Sequence, residues 1–106
     1  MSKSHDANVN VAVTFRHTES TPALKSYAIE KITHCVQKYV SHDTEAQVIL
    51  SVEKRDHSAE ANIHSKDYNV SCKAVTGDLY SAIDKVVDTV EGQLRKQKDR
   101  LKDHKH

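Results

Sequence analysis

Hydrophobic and polar residues alternate along four stretches of the chain. Every second residue is apolar over residues 8–15, and the same period returns over residues 45–53. Alternation of this kind is typical of β-strands that bury one face. Two more alternating runs, 59–63 and 68–74, are separated by a short polar segment at 65–67. The pattern predicts four strands, the last three of which form an antiparallel meander with short turns.

Two other segments carry apolar residues at helical spacing. The first begins after Thr21, whose side chain can cap free N–H groups before a proline, and is predicted to end near Val40. The second begins at the capping residue Asp78, and its apolar residues recur as far as Leu101. Gly92 interrupts this helix at about 1 kcal/mol relative to alanine. Its last turns are therefore expected to depend on packing or on a partner.

The predicted order of elements is β-α-β-β-β-α. Because each strand has one apolar and one polar face, we expect an α+β fold in which two helices pack on one face of a four-stranded sheet. The chain has 106 residues, 37% of them hydrophobic and 29% charged, which is a globular and not a disordered profile. One domain is expected over residues 8–103, with residues 1–7 and 104–106 as flexible termini.

Several functional classes are disfavoured by the sequence. It has no run of ~20 apolar residues and no apolar signal segment, so an intracellular, cytoplasmic protein without a membrane partner is expected. The cysteines, Cys35 and Cys72, form no CxxC motif and are expected to be buried hydrophobes. The histidines lack zinc-site spacing, and no GxSxG motif or glycine-rich phosphate loop is present. We expect a non-enzyme with no cofactor, metal or small-molecule substrate.

Positive charge is concentrated near the C-terminus, although the formal net charge is only +1. Between residues 91 and 106 there are six Lys or Arg residues and three acidic ones. Such a basic pole attracts phosphates locally. A purely structural explanation stays open, because cations at the end of a helix complement its dipole.

The charged residues of the two helices are predicted to gather on separate flanks of the apolar stripes. If the helices lie side by side, their basic flanks are expected to line a shared groove that neutralises RNA phosphates without reading bases. The basic flanks consist of Lys31, His34 and Lys38 on the first helix and Lys85, Lys96 and Arg100 on the second. The acidic flank of the second helix consists of Asp84, Asp88 and Glu91. Two ordinary solvated helix faces are the simpler alternative.

Parts of both helices resemble the ribosome hibernation promoting factor family. These parts are TPALKSY at 21–27, DLYSAID at 78–84 and QLRKQK at 93–98, and the valine-rich strand at 48–53 also fits. The resemblance covers roughly residues 8–102. It implies the same β-α-β-β-β-α fold and binding to the small ribosomal subunit, in the channel that holds messenger RNA and transfer RNA. Such binding inhibits translation and promotes ribosome hibernation in stationary phase or stress.

The groove hypothesis and the resemblance together give nine candidate rRNA-binding residues. Those at positions that are usually basic in the family are Lys25, Lys31, Lys85, Lys96 and Lys98, and the others are Arg16, Lys38, Arg95 and Arg100. His34, Thr89 and Gly92 stand where the family often has lysine, which predicts a lower affinity unless the C-terminal tail compensates.

Length indicates a subtype, and two other functions stay open. Long family members carry an additional C-terminal dimerisation domain, so the chain resembles a short form, which acts with a separate ribosome modulation factor on the same ribosomes. A general double-stranded RNA-binding module has a related order of elements and would bind a plain duplex nearly as well as a ribosome. A protein-interaction regulator of transcription would instead capture a polymerase subunit without ribosomal proteins.

Overall fold

The computed structural model of the chain describes residues 8–103. Its elements are β1 (Val9–Arg16), α1 (Pro22–Gln37), β2 (Thr44–Glu53), β3 (Asp56–His64), β4 (Asn69–Thr76) and α2 (Leu79–Asp103). The predicted α+β fold and its element order are confirmed. The termini that were expected to be flexible, residues 1–7 and 104–106, lie outside the described residues.

The four strands form one mixed sheet in the order β1-β2-β3-β4. β1 and β2 run parallel because α1 connects them as a crossover, and the other two pairs are antiparallel, as the short turns predicted. Val13, Val48, Ala61 and Cys72 lie opposite one another across the sheet. The apolar positions of the four alternating runs therefore form one continuous layer.

Both helices cover this layer, with α1 against β1, α2 against β3 and β4, and the two helices against each other. The largest fully buried side chains are Ile32, Val36, Val48, Leu50, Ile63, Ile83, Val86, Val90 and Leu94. Cys35 and Cys72 are buried as predicted, and burial raises the pKa of the Cys35 thiol to about 11. The thiolate is the reactive form of cysteine, so this thiol is a packing group.

The helix starts agree with the capping pattern of the sequence. Thr21 Oγ1 accepts a hydrogen bond from the Leu24 N–H at 3.2 Å, and Asp78 Oδ2 accepts one from the Ser81 N–H at 3.3 Å. The hydrogen bonds from Ser81 hold the pKa of Asp78 below its usual value. α2 continues through Gly92 to the end of the described residues. Within those residues, neither helix is long and apolar enough to cross a membrane.

Two element boundaries differ from the predictions. α1 ends at Gln37 and not near Val40, because the chain tightens after it: the N–H groups of Lys38 and Tyr39 bond to carbonyls three residues back. β3 begins at Asp56, so the polar break expected over residues 54–57 is a turn of only two residues. At this turn β2 and β3 extend beyond the apolar core, so their residues no longer alternate between apolar and polar.

Candidate nucleic-acid interface

The two helices lie side by side and run in the same direction. Near their N-termini the Tyr27 hydroxyl donates a hydrogen bond to Asp84 Oδ1 at 2.6 Å, and near the end of α1 the Lys38 ammonium contacts Glu91 Oε2 at 2.8 Å. The Tyr39 hydroxyl also donates to Glu91 at 2.8 Å. These contacts join α1 to the acidic flank of α2.

A groove of about 320 Å³ lies between the helices, and we call it the interhelical groove. Its lining residues are Glu30, Lys31, His34, Cys35, Lys38, Val87, Asp88 and Glu91. The lining thus has three carboxylates and two ammonium groups. A fourth carboxylate, that of Asp84, lies 3.8 Å from the Lys31 ammonium. The expectation of a shared groove lined by the basic flanks of both helices is wrong.

The prediction of the groove was wrong because α1 packs against the acidic flank of α2. The assignment of residues to the flanks of α2 by helical periodicity was correct. The apolar stripe of α2 faces the sheet, as predicted, and the two charged flanks then point to opposite sides. α1 covers β1 while α2 covers β3 and β4, so only one flank of α2 contacts α1. That flank carries Asp84 and Glu91, which leaves Lys85 and Lys96 on the side away from α1.

The lysines of α1 that line the groove are therefore neutralised within the protein. The Lys38 hydrogen bond to Glu91 raises the pKa of the Lys38 ammonium, and the same bond is the main cause that lowers the pKa of Glu91. Both shifts favour the charged pair. Lys31 lies 3.8 Å from Asp84 and 5.5 Å from the centre of the Tyr27 ring. Phosphates that approach this groove meet little net positive charge.

Lys85 and Lys96, by contrast, form an outer flank of α2 that is open to solvent. Both side chains are exposed. Among the side chains that the structure describes, neither has a carboxylate within 4.0 Å, whereas Lys31 and Lys38 each have one. The outer flank therefore offers its full charge to a ligand.

The last part of α2 carries a second group of bases, which we call the basic end: Arg95, Lys96, Lys98 and Arg100. α2 has 25 residues and α1 has 16, so α2 is roughly 13.5 Å longer at 1.5 Å per residue. Arg95 Nη2 lies 3.8 Å from Glu91, and the Lys98 ammonium lies 6.0 Å from the centre of the Tyr39 ring. These bases point in different directions around the helix.

Polar contacts fix the basic end to the start of β4. The Gln97 side chain accepts a hydrogen bond from the Asn69 N–H at 3.2 Å and donates one to the Asn69 carbonyl at 3.1 Å. Leu94, one turn earlier, is fully buried. Packing thus supports the turns beyond Gly92, one of the two possibilities that the sequence left open.

The remaining two candidates lie elsewhere. Arg16 ends β1 on the exposed face of the sheet, which is opposite to the helices, as the alternating burial of that strand shows. Lys25 is exposed in the first turns of α1. The structure therefore brings Lys31 and Lys38 together in the groove and four other bases to the basic end, but it does not gather all nine candidates into one surface.

Sequence reasoning did not identify the tyrosines between the helices as contacts to carboxylates. Tyr27 and Tyr39 donate to Asp84 and Glu91, respectively. The available signal was the acidic flank of α2, which sequence reasoning did not assign to the side that meets α1. A row of carboxylates on a flank next to an apolar stripe also fits a neighbouring helix with hydroxyl and ammonium donors.

Comparisons with known proteins identify the family. Residues 11–102 match the family described as sigma 54 modulation protein / S30EA ribosomal protein. Over 92 residues the chain is 33% identical to the ribosome hibernation promoting factor of Escherichia coli (strain K12), which covers 87% of this chain and 96% of that protein. The Pseudomonas putida protein of the same name is also 33% identical, and the match covers 87% of this chain and 89% of that protein.

Solved structures agree with this fold. The N-terminal domain of Thermus thermophilus Protein Y has a TM-score of 0.74 and 27% identity, covering 82% of this chain and 97% of that domain. A ribosomal subunit interface protein from Coxiella burnetii has a TM-score of 0.75 at 21% identity, over 85% and 98% of the two chains, which supports the fold alone. With the sequence matches, the resemblance noted from the two helices is confirmed, and the chain belongs to the sigma 54 modulation protein / S30EA ribosomal protein family.

Proposed function

We propose that this protein binds the small ribosomal subunit in the channel for messenger and transfer RNA, inhibits translation and promotes ribosome hibernation. Family membership supports this proposal, since the relatives from Escherichia coli and Pseudomonas putida are named ribosome hibernation promoting factors. A protein with this role acts in the cytoplasm, on ribosomes that a separate ribosome modulation factor also binds.

The observation that carries the proposal is the uneven distribution of charge on α2. The whole chain has a net charge of +1, yet the outer flank and basic end of α2 present solvent-exposed bases, while Asp84, Asp88 and Glu91 lie on the side of α2 that faces α1. Contacts to phosphates supply affinity without reading sequence, which suits a folded RNA surface. The proposed rRNA contacts are therefore centred on Lys85, Lys96, Lys98 and Arg100, and Arg95, which lies 3.8 Å from Glu91, is a weaker candidate of the same group.

Lys31 and Lys38 have a smaller part in this proposal than the groove hypothesis gave them. To bind a phosphate, each lysine must give up its contact with a carboxylate of α2. The loss of that ion pair offsets much of the free energy gained from the phosphate contact. Arg16 lies on the other face of the sheet, so it contacts the same RNA only where the RNA curves around the domain. Lys25 stays a candidate at the N-terminal end of α1.

Binding to purified small subunits at increasing salt concentration tests the proposal. If about four to six phosphates are contacted, log affinity falls with log salt at a slope of roughly −3 to −5. Lys85→Glu with Lys96→Glu should weaken binding strongly. The matched control is Lys54→Glu with Lys73→Glu, which changes the net charge equally at exposed positions outside α2. Equal loss in both double variants would mean that only net charge matters.

A gradient experiment separates this function from the alternatives. In extracts of stationary-phase cells, the protein should sediment with small subunits, single ribosomes or paired ribosomes. Binding to a plain RNA duplex as tight as to small subunits would instead indicate a general duplex-binding module. Capture of a polymerase subunit without ribosomal proteins would indicate a regulator of transcription.

A further inference from the structure

An aromatic ring is exposed at the N-terminal end of α2, at the opposite end from the basic end. Tyr80 is 43% exposed, and among the described side chains Val75 and Leu101 are the other exposed large hydrophobic residues. Tyr80 lies on the α1 side of its helix, where its ring centre is 5.0 Å from that of Tyr27 at an interplanar angle of 72°. This edge-to-face contact is a preferred geometry for two aromatic rings.

Further contacts of Tyr27 hold this ring pair in place. The Tyr27 hydroxyl donates to Asp84 at 2.6 Å, and the Lys31 ammonium lies 5.5 Å from the Tyr27 ring centre and 3.8 Å from Asp84. The hydrogen bond to Asp84 raises the pKa of Tyr27, so this hydroxyl stays a neutral donor. Tyr80 is thus supported by a polar network on two helices, and a fixed ring loses little conformational entropy when a ligand binds.

The surroundings of Tyr80 indicate the kind of ligand. Its ring is a single apolar surface with polar neighbours, since Asp84 and Lys31 both contact the supporting Tyr27. A docking site for an apolar peptide needs several adjacent hydrophobic side chains. A nucleobase, by contrast, needs only one flat ring for its face.

We propose that Tyr80 stacks against an unpaired base of the small-subunit RNA. This inference rests on the proposed function and deepens it, because a contact to a base is added to the contacts to phosphates. Tyr80 and Lys98 are 18 residues apart, or roughly 27 Å along the helix at 1.5 Å per residue. The two contacts therefore fix α2 at both ends, one through a base and one through the backbone of the RNA.

Substitutions at Tyr80 test the stacking contact with purified small subunits. Stacking of one base on an aromatic ring predicts that Tyr80→Ala weakens binding by roughly 5- to 140-fold. Tyr80→Phe keeps the ring and should bind like the parent protein. The salt slope should be unchanged in Tyr80→Ala, since no phosphate contact is lost. The matched control is Val75→Ala, which shortens an exposed apolar side chain on the other face of the sheet.

Fluorescence gives a second readout that does not depend on affinity. The chain has no tryptophan, so Tyr80→Trp and Val75→Trp each introduce a single tryptophan, whose emission is distinct from that of the tyrosines. Stacking on a base should quench the emission of Tyr80→Trp when small subunits are added and leave that of Val75→Trp unchanged. Unchanged emission from Tyr80→Trp, with full binding by Tyr80→Ala, would overturn the inference and leave the proposed function intact. If the parent protein failed to bind small subunits, both the stacking inference and the proposed function would be contradicted.

Discussion

The interhelical groove and the outer flank of α2 both carry lysines, but only one of them has charge to offer. In the groove, Lys38 contacts Glu91 at 2.8 Å and Lys31 lies 3.8 Å from Asp84. On the outer flank, Lys85 and Lys96 are exposed to solvent. The position of a lysine on a helix is therefore a poor guide to its electrostatic role until the side chains opposite it are known.

The difference also separates two tasks on a single helix. The acidic flank of α2 holds α1 in place through ammonium and hydroxyl groups, and the outer flank and basic end remain for a ligand. Exposed ion pairs contribute little stability, and most of the helix packing comes from buried residues such as Ile83 and Leu94. The main effect of the acidic flank is to neutralise the lysines of α1, so that positive potential remains on the outer flank and the basic end of α2.

The largest expected effect is on the outer flank. Lys85→Ala with Lys96→Ala should reduce the affinity for small subunits by about 30-fold at physiological salt and make the salt slope shallower by about 2, because two phosphate contacts are lost. Binding assays over a salt series measure both quantities. Lys31→Ala with Lys38→Ala is the matched double variant in the groove, and an equal or larger loss there would contradict the comparison.

A smaller change, an increase in the affinity for small subunits, is expected when two carboxylates of the acidic flank are neutralised. Asp84→Asn with Glu91→Gln should release Lys31 and Lys38, increase affinity by roughly 5- to 30-fold and steepen the salt slope. The control is Glu45→Gln with Glu60→Gln on the exposed face of the sheet, which changes the net charge equally. If both double variants bind equally well, the carboxylates in the groove do not compete with phosphates.

A modest gain in stability is expected at Gly92, an exposed position within the packed length of α2. Nothing lies within 4 Å of a Cβ added at this glycine. Gly92→Ala should therefore raise the free energy of unfolding by about 0.5–1 kcal/mol, the usual advantage of alanine in a helix. Denaturant unfolding measures the change. A destabilised variant would show that the helix needs a glycine at this position.

The smallest expected effect concerns acid stability in the groove. The pKa of Glu91 is lowered in the folded protein, mainly by the Lys38 ammonium and then by the Tyr39 hydroxyl. Its contribution to stability is therefore full above the unfolded pKa, about 4.3, and is lost as pH falls through the lower folded value. Glu91→Gln should make the loss of stability in this range shallower. Unfolding curves measured from neutral pH down to about pH 3 test this, and identical pH profiles would contradict it.

Alternation predicted the strands well because burial on one side of a sheet imposes a period of two. It failed at the ends of elements, where the chain leaves the core: β3 starts at Asp56, three residues before the apolar run. Capping residues were more reliable, since Thr21 and Asp78 act through local hydrogen bonds that the sequence contains in full. The tyrosine hydroxyl contacts were missed because their partners are more than 50 residues away.

By itself, the sequence determined the elements of this protein and which residues share a face of each element, because helix and strand periods are local properties of the backbone. It also placed Lys85 and Lys96 on one flank of α2 and Asp84 and Glu91 on the other. Only the tertiary structure decided which flank meets α1. That choice depends on the direction of each helix and the strands beneath it, which follow from how the whole chain packs into one core.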